Sequence, residues 1–254
     1  MFRYGQGSPD IYIITQNALA DNSYTDYIRA IYGQAIKLPT TQDVNRAFQS
    51  YAGRIPQNAG VTVDKSGKVS VQGVQGVMEI NGIIAKSIFE MNKDKHDFYV
   101  EESYVIDWMY PYLAPCGVIM RLMPDKIKLT DDMIASDTHY WESLCRELLG
   151  RSDFAQDVMA QKAFSKLRCA QAGIYAFHSR YDLAEAAFKQ ALELYIVSPE
   201  TNFRLADLYL KQGKAEQARE VMALYHSKEP GDKKAGDFIK KITAIIAKSK
   251  QNPE

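Results

Sequence analysis

Five side chains in the first half of the chain have the chemistry for acid–base work or for ligand binding. Asn17 and Asp21 follow the β-rich run Asp10-Ile-Tyr-Ile-Ile-Thr15. Glu101 and Glu102 follow a second such run, 97–100, and Asp107 comes just after. In open α/β sheets, ligands bind at the carboxyl ends of strands. If these two strands are parallel and adjacent, the five groups meet at one sheet edge. Carboxylates gathered there bind a metal or a sugar hydroxyl, or share a proton. The competing reading, and the favoured one, is helix capping: Asn17 and Asp21 before one helix, Glu101 to Ser103 before the next.

Other reactive residue types are scattered. His96, His139, His178 and His226 never stand four apart, and Cys116, Cys145 and Cys169 form no CxxC. Zinc is therefore not expected, and the thiols read as small buried hydrophobes. No GxSxG or HExxH occurs, and Gly5-Gln-Gly7 precedes a strand instead of following one, the wrong setting for a phosphate loop. No catalytic, cofactor-binding or metal-binding residue is assigned. The 31 basic residues balance the 31 acidic ones among 254, so no basic surface for nucleic acid is expected. The 16 tyrosines lie at helical spacing and read as core.

The elements that must position these groups change character along the chain. Up to about residue 125, strand and helix signals alternate. After the run 10–15, Tyr24, Tyr27, Ile28 and Ile31 mark one inward helix face that Gly33 ends. Thr40-Thr41 caps a second helix bearing Val44, Ala47, Phe48 and Tyr51. Residues 61–71 read as a hairpin with Gly67 in its turn. A helix over 74–91 follows, with Val77, Ile80, Ile84 and Ile88 inward, then a strand at 97–100, a short helix at 106–113 and a strand at 117–122. Strands separated by helices predict right-handed crossovers and a small, mostly parallel sheet with flanking helices, an α/β domain over 1–127. From Thr130 onward only helix signals remain, with Trp141, Leu144, Cys145 and Leu148 inward, so 128–254 reads as all-α. The polar, glycine-rich opening to Pro9 lacks the apolar stretch of a signal peptide. Asp107, Pro111, Pro115, Gly117 and Arg121 interrupt the most apolar stretch, 104–123, so a soluble chain without membrane insertion is expected.

The tail repeats. Ala172 and Ala206, Tyr175 and Tyr209, and Ala184 and Ala218 are each 34 residues apart. This looks like the tetratricopeptide repeat. Small residues let the two helices of a repeat approach, and aromatics fill the gap to the next pair. Two copies fit, at about 165–198 and 199–232, with a capping helix from Lys233 to about Lys248. The second copy has Leu205, Ala206, Tyr209, Gly213, Ala218 and Pro230 in place; the first has Ile196 where proline is usual. Such an array either packs and scaffolds, or holds a peptide in its groove through residues such as Phe177, Phe203, Asp207 and Lys211.

Three stretches resemble a known family. Asp10-Ile-Tyr-Ile-Ile-Thr-Gln-Asn-Ala-Leu-Ala-Asp21 with Tyr27-Ile-Arg29, then Phe98-Tyr-Val-Glu-Glu-Ser103 running into Asp107-Trp-Met-Tyr-Pro-Tyr-Leu113, and Gln161-Lys-Ala-Phe-Ser-Lys-Leu-Arg168, are similar to the soluble C-terminal region of protein O-mannosyltransferase-like bacterial membrane proteins of unknown function. The chain departs from that pattern at Tyr104-Val105. The resemblance implies a membrane-embedded, glycosyltransferase-like companion module and an extracytoplasmic setting. The family's presumed catalytic acid belongs to that module, so no catalytic residue is carried over.

The expected function is a non-catalytic accessory or interaction module that holds a protein or peptide partner, an acceptor, or the membrane-embedded module of the same family. The alternative is a small sugar-binding or carboxylate-based enzyme domain that uses Asn17, Asp21, Glu101, Glu102 and Asp107. A third reading is a purely structural tail.

Overall fold

The computed structural model describes residues 12–54, 61–63, 69–71, 73–101 and 106–251. The chain divides into two compact units, Met1–His96 and Asp97–Glu254.

In the first unit a 3-10 turn, η1 (Gln16–Ala18), leads into α1 (Asn22–Tyr32) and α2 (Thr41–Ala52). Strands β1 (Val61–Val63) and β2 (Val69–Val71) and helix α3 (Val74–Asn92) follow. Thr40 and Asp43 close a capping box on α2. The hairpin pairs antiparallel with Val61 opposite Val71, while its turn lies outside the described residues. Ile80, Ile84 and Ile88 are buried, as their spacing predicts.

α1 differs from expectation. Tyr27 and Ile31 are 60% and 52% exposed, and Thr25 is buried beside Ile28. The inward direction is turned by about one residue step, roughly 100°. The Thr25 hydroxyl donates to Asn22 O within the helix, which lets its methyl group go inward. The strand expected at 10–15 is also absent over 12–15, which are irregular; residues 10 and 11 lie outside the described set.

Two buried asparagines of α3 tie down the loops. Asn81 accepts from Ala20 N at 2.6 Å and donates to Asn17 O at 3.0 Å. Asn92 accepts from Lys37 N at 2.8 Å and donates to Lys37 O at 2.7 Å. Each amide satisfies a loop N–H and a loop C=O together, as a strand partner would.

The second unit opens with β3 (Phe98–Val100), a 3-10 helix η2 (Asp107–Tyr112), β4 (Leu113–Cys116) and β5 (Ile119–Leu122). The sheet order is β3-β5-β4, antiparallel throughout, which corrects the mostly parallel sheet expected from the sequence. Cys116 pairs with Ile119 across a two-residue loop, Gly117-Val118. So short a link joins only antiparallel strands, since parallel pairing needs a long crossover. Gly117 supplies the positive φ of 61° that such hairpin loops require at their first residue. The run 117–122 read as one strand is thus a turn plus a strand, and the end of the expected helix 106–113 opens β4.

Helices complete the unit: α4 (Asp131–Leu149), α5 (Ser152–Gln156), α6 (Val158–Phe177), α7 (Tyr181–Leu194), α8 (Pro199–Lys211), α9 (Ala215–Lys228) and α10 (Lys233–Gln251). The side chains of Thr130, Asp157 and Ser198 cap α4, α6 and α8. The residues spaced 34 apart occupy equivalent buried positions: Ala172 with Ala206, Tyr175 with Tyr209, and Ala184 with Ala218. They share one apolar cluster that runs from Ile134 to Ile246.

A charged network sits where α4, α6, α7 and the hairpin turn meet. Arg168 Nη1 lies 2.7 Å from Asp137 Oδ2, and the two side chains are only 4% and 1% exposed. Tyr175 OH donates to the same carboxylate oxygen at 2.6 Å. Arg168 Nε donates to Gln190 Oε1 at 2.8 Å, and its guanidinium lies over the Trp141 ring. Gln171 accepts from Trp141 Nε1 and donates to Gly117 O at 2.7 Å and to Ile119 O at 3.0 Å.

Removing one member of such a pair strands the other charge, at a cost of about 3–5 kcal/mol. Arg168→Met should lower unfolding stability by about that much in urea. Arg168→Met combined with Asp137→Leu should cost clearly less than the two single changes summed. Additivity would show that the pair is not coupled.

Burial, and after it the Asp137 carboxylate, holds the Tyr175 phenol well above its ordinary range. Burial and Asp232 push Tyr225 up to about 12. An unfolded tyrosine ionises near about pH 10. A raised folded value gives stability that is complete below the unfolded value and is lost as pH rises through the folded one. The urea midpoint should therefore hold to about pH 9.5 and fall steeply above about pH 10, with Tyr175→Phe flattening the decline. Paired urea and 295 nm absorbance titrations check it.

Candidate functional site

The strand-end residues lie in different units. Asn17 and Asp21 belong to the first, Glu101 and Asp107 to the second, and Glu102 lies outside the described residues. Asp21 Oδ1 accepts from Ser23 N at 2.8 Å as the N-cap of α1, and this hydrogen bonding holds its carboxyl below the usual range. Asn17 is exposed in η1, and its backbone carbonyl takes the Asn81 amide. Glu101 is exposed just after β3, and Asp107 is exposed as the first residue of η2. Among the described residues, 12–15 form no strand and β3 pairs antiparallel with β5, so no pair of adjacent parallel strands brings them together. Among the described residues no three His, Cys, Asp or Glu side chains gather in a way that could hold a metal ion.

The repeat residues form a more continuous surface. Phe203, Asp207 and Lys211 stand at i, i+4 and i+8 on α8 and so share one side of it. Phe203 stacks on Phe238 of α10, with centroids 5.3 Å apart and planes at 21°. Beside it lies a shallow depression of about 690 Å³, lined by Pro199, Glu200, Phe203 and the segment 231–234. Asp207 and Lys211 are exposed. Partial burial raises the Asp207 carboxyl, and Lys211 one turn on partly offsets it.

Towards α6 the same side of α8 carries Arg204. Its guanidinium lies 3.4 Å from Glu200 Oε1 and 3.8 Å from Cys169 Sγ, and over the Phe188 ring. Burial works against this charge, but Cys169, Tyr110 and Glu200 outweigh it and hold Arg204 protonated. Arg204 Nη2 also donates to Tyr110 OH at 3.3 Å. Tyr110 comes from η2, outside the repeats, and its ring stacks on Phe177, with centroids 5.5 Å apart and planes at 14°. The four groove residues are therefore not equivalent. Phe177 is covered on one face by Tyr110, Phe203 is stacked on α10, and Asp207 and Lys211 stand free of such cover.

Sequence reasoning did not single out Arg204, Gly173 or Tyr110. Arg204 and Gly173 had one usable signal: an arginine and a glycine on the inward half of helices whose other inward residues are apolar or aromatic. Tyr110 had none, because its neighbours on α6 and α8 are 63 or more positions away along the chain.

Among the described residues no helix is long and apolar enough to cross a membrane. Residues 178–242 match the family model described as tetratricopeptide repeat. That match spans α7 to the middle of α10 and does not reach the stretches, within residues 9–170, on which the protein O-mannosyltransferase-like resemblance rests. No curated protein and no solved structure matches the chain. Residues 178–242 are thus a tetratricopeptide-like repeat region, of the kind that mediates protein–protein contact.

Proposed function

We propose that the chain is a non-catalytic interaction module that holds a partner protein against the exposed side of α8, through Phe203, Asp207 and Lys211, with Phe177 on α6 extending that surface. In this reading residues 128–254 are the interacting domain, with repeats at about 165–198 and 199–232 and a capping helix behind them. The observation that carries it is the tetratricopeptide match over 178–242 combined with the free side of α8. The apolar repeat positions are consumed by the core, and an opposite-charge pair one turn apart is left facing outward. Surface charges of this kind add orientation and encounter rate more than raw affinity. The finer reading, in which the partner is a membrane-embedded glycosyltransferase-like module or its acceptor, is supported by the resemblance over 9–170 alone.

The test exchanges the two charges. Asp207→Lys together with Lys211→Glu leaves the net charge unchanged and touches no buried group. A partner captured by the wild-type chain should be recovered about tenfold less well by the exchanged variant, a loss of about 1.4 kcal/mol, with an unchanged thermal midpoint. Equal recovery by both chains rejects this face. Turnover of a sugar donor by the purified chain rejects the non-catalytic reading.

A further inference from the structure

The setting of the Tyr110 side chain suits a phenol. Gly173 lies where α6 faces Arg204, and a Cβ there would collide with Arg204 Nη2 and lie 2.9 Å from the Tyr110 hydroxyl. Only the missing side chain leaves room for the Arg204 guanidinium and for the hydroxyl end of the Tyr110 ring. Phe177 supplies a flat apolar floor, stacked 14° from parallel, and Arg204 supplies a donor at the hydroxyl end. Floor, cleared edge and donor match three parts of a tyrosine side chain: its face, its hydroxyl-bearing edge and its oxygen.

The occupant is held lightly. Phe177 remains 48% exposed, so the stack stands at the surface. The hydrogen bond to Tyr110 is long at 3.3 Å, and Arg204 has Glu200 as a second partner at 3.4 Å. The backbone of η2 is anchored independently: Met109 is buried, Pro111 O accepts from Ile127 N, and Tyr112 O accepts from Met123 N. The ring can therefore leave by a side-chain rotation without unfolding η2.

We propose that Gly173, Phe177 and Arg204 form a receptor for a phenolic side chain, which Tyr110 fills in cis, and that a partner protein engaging the α6–α8 face competes with Tyr110 by presenting a tyrosine of its own. This rests on the reading of that face as the partner surface and adds its regulation. Tethering gives Tyr110 an effective concentration on the order of millimolar or above. A lone phenol thus competes weakly, and a partner must add contacts along α8 to displace it.

The probe is p-cresol, the tyrosine side chain alone, with toluene as the control that lacks the oxygen. Full-length Tyr110→Ala should bind p-cresol at least tenfold more tightly than the wild-type chain and should prefer it severalfold over toluene. Adding Gly173→Val, which takes the space of the phenol's hydroxyl end, should abolish that binding. In the wild-type chain labelled with 3-fluorotyrosine, with the Tyr110 signal assigned through Tyr110→Phe, p-cresol should move that signal towards its solvent position. Natively folded Tyr110→Ala that binds p-cresol no better than wild type, or binds toluene equally well, overturns the receptor. If Tyr110→Ala does not fold, the fluorine signal decides, and no movement up to the solubility limit of p-cresol overturns the proposal. The charge-exchange experiment on Asp207 and Lys211 is read separately. If it fails while p-cresol binds, the partner surface is lost and the receptor stands; the reverse result removes the receptor alone.

Discussion

Asp137 and Arg168 carry opposite charges in a part of the second unit that water does not reach, and the placing of its elements depends on satisfying them. Taking two such groups out of water costs several kcal/mol each, and only good geometry with further hydrogen bonds offsets it. Here Asp137 Oδ2 serves both Arg168 and Tyr175, and Arg168 also reaches Gln190 and the Trp141 face. The partners come from α4, α6 and α7. A small rotation of any one helix breaks several directional contacts together, whereas an apolar contact would tolerate it. The cluster therefore fixes orientation more than it adds net stability.

Gln171 extends that constraint to the sheet. It stands one turn beyond Arg168 on α6 and gives both amide hydrogens to carbonyls of the β4–β5 hairpin. The hairpin is thereby seated on α6, and η2, which runs directly into β4, is seated with it. That is why a tyrosine from outside the repeats reaches the face of α6 beside Gly173. In a repeat array the inner faces of successive helix pairs are equivalent by construction. Here they differ: the α6 face is taken by the hairpin and Tyr110, and the α8 face keeps its polar residues free.

The repeat was legible because its signal is local and periodic. Ala172, Tyr175 and Ala184 recur 34 positions on, and each must be small or aromatic for its own helix pair to close. The stripe on α3 and the Thr40 cap were legible for the same reason. The sheet was misread because strand direction is a property of connections, and the decisive connection was the two-residue loop Gly117-Val118, hidden inside an apolar run that reads as strand. The inward face of α1 was misread because Thr25 satisfies its own hydroxyl within the helix, which residue type alone does not disclose. The sequence offers Phe177, Phe203, Asp207 and Lys211 only as candidate positions and does not tell them apart, since the ring that covers Phe177 is 67 residues away along the chain.

By itself, then, the amino-acid order determined the helices that carry a cap or a regular apolar stripe, α2, α3 and α4 among them, and the 34-residue recurrence of the tail, because caps, stripes and a fixed period act over a few residues. Tertiary structure alone decided that the sheet is antiparallel, that a salt bridge organises the helices around it, and that Tyr110 reaches Phe177 and Arg204. Those outcomes depend on groups distant in sequence becoming neighbours under exclusion of water, where the cost of an unpaired charge or an unmade hydrogen bond selects one arrangement from many that the local pattern permits.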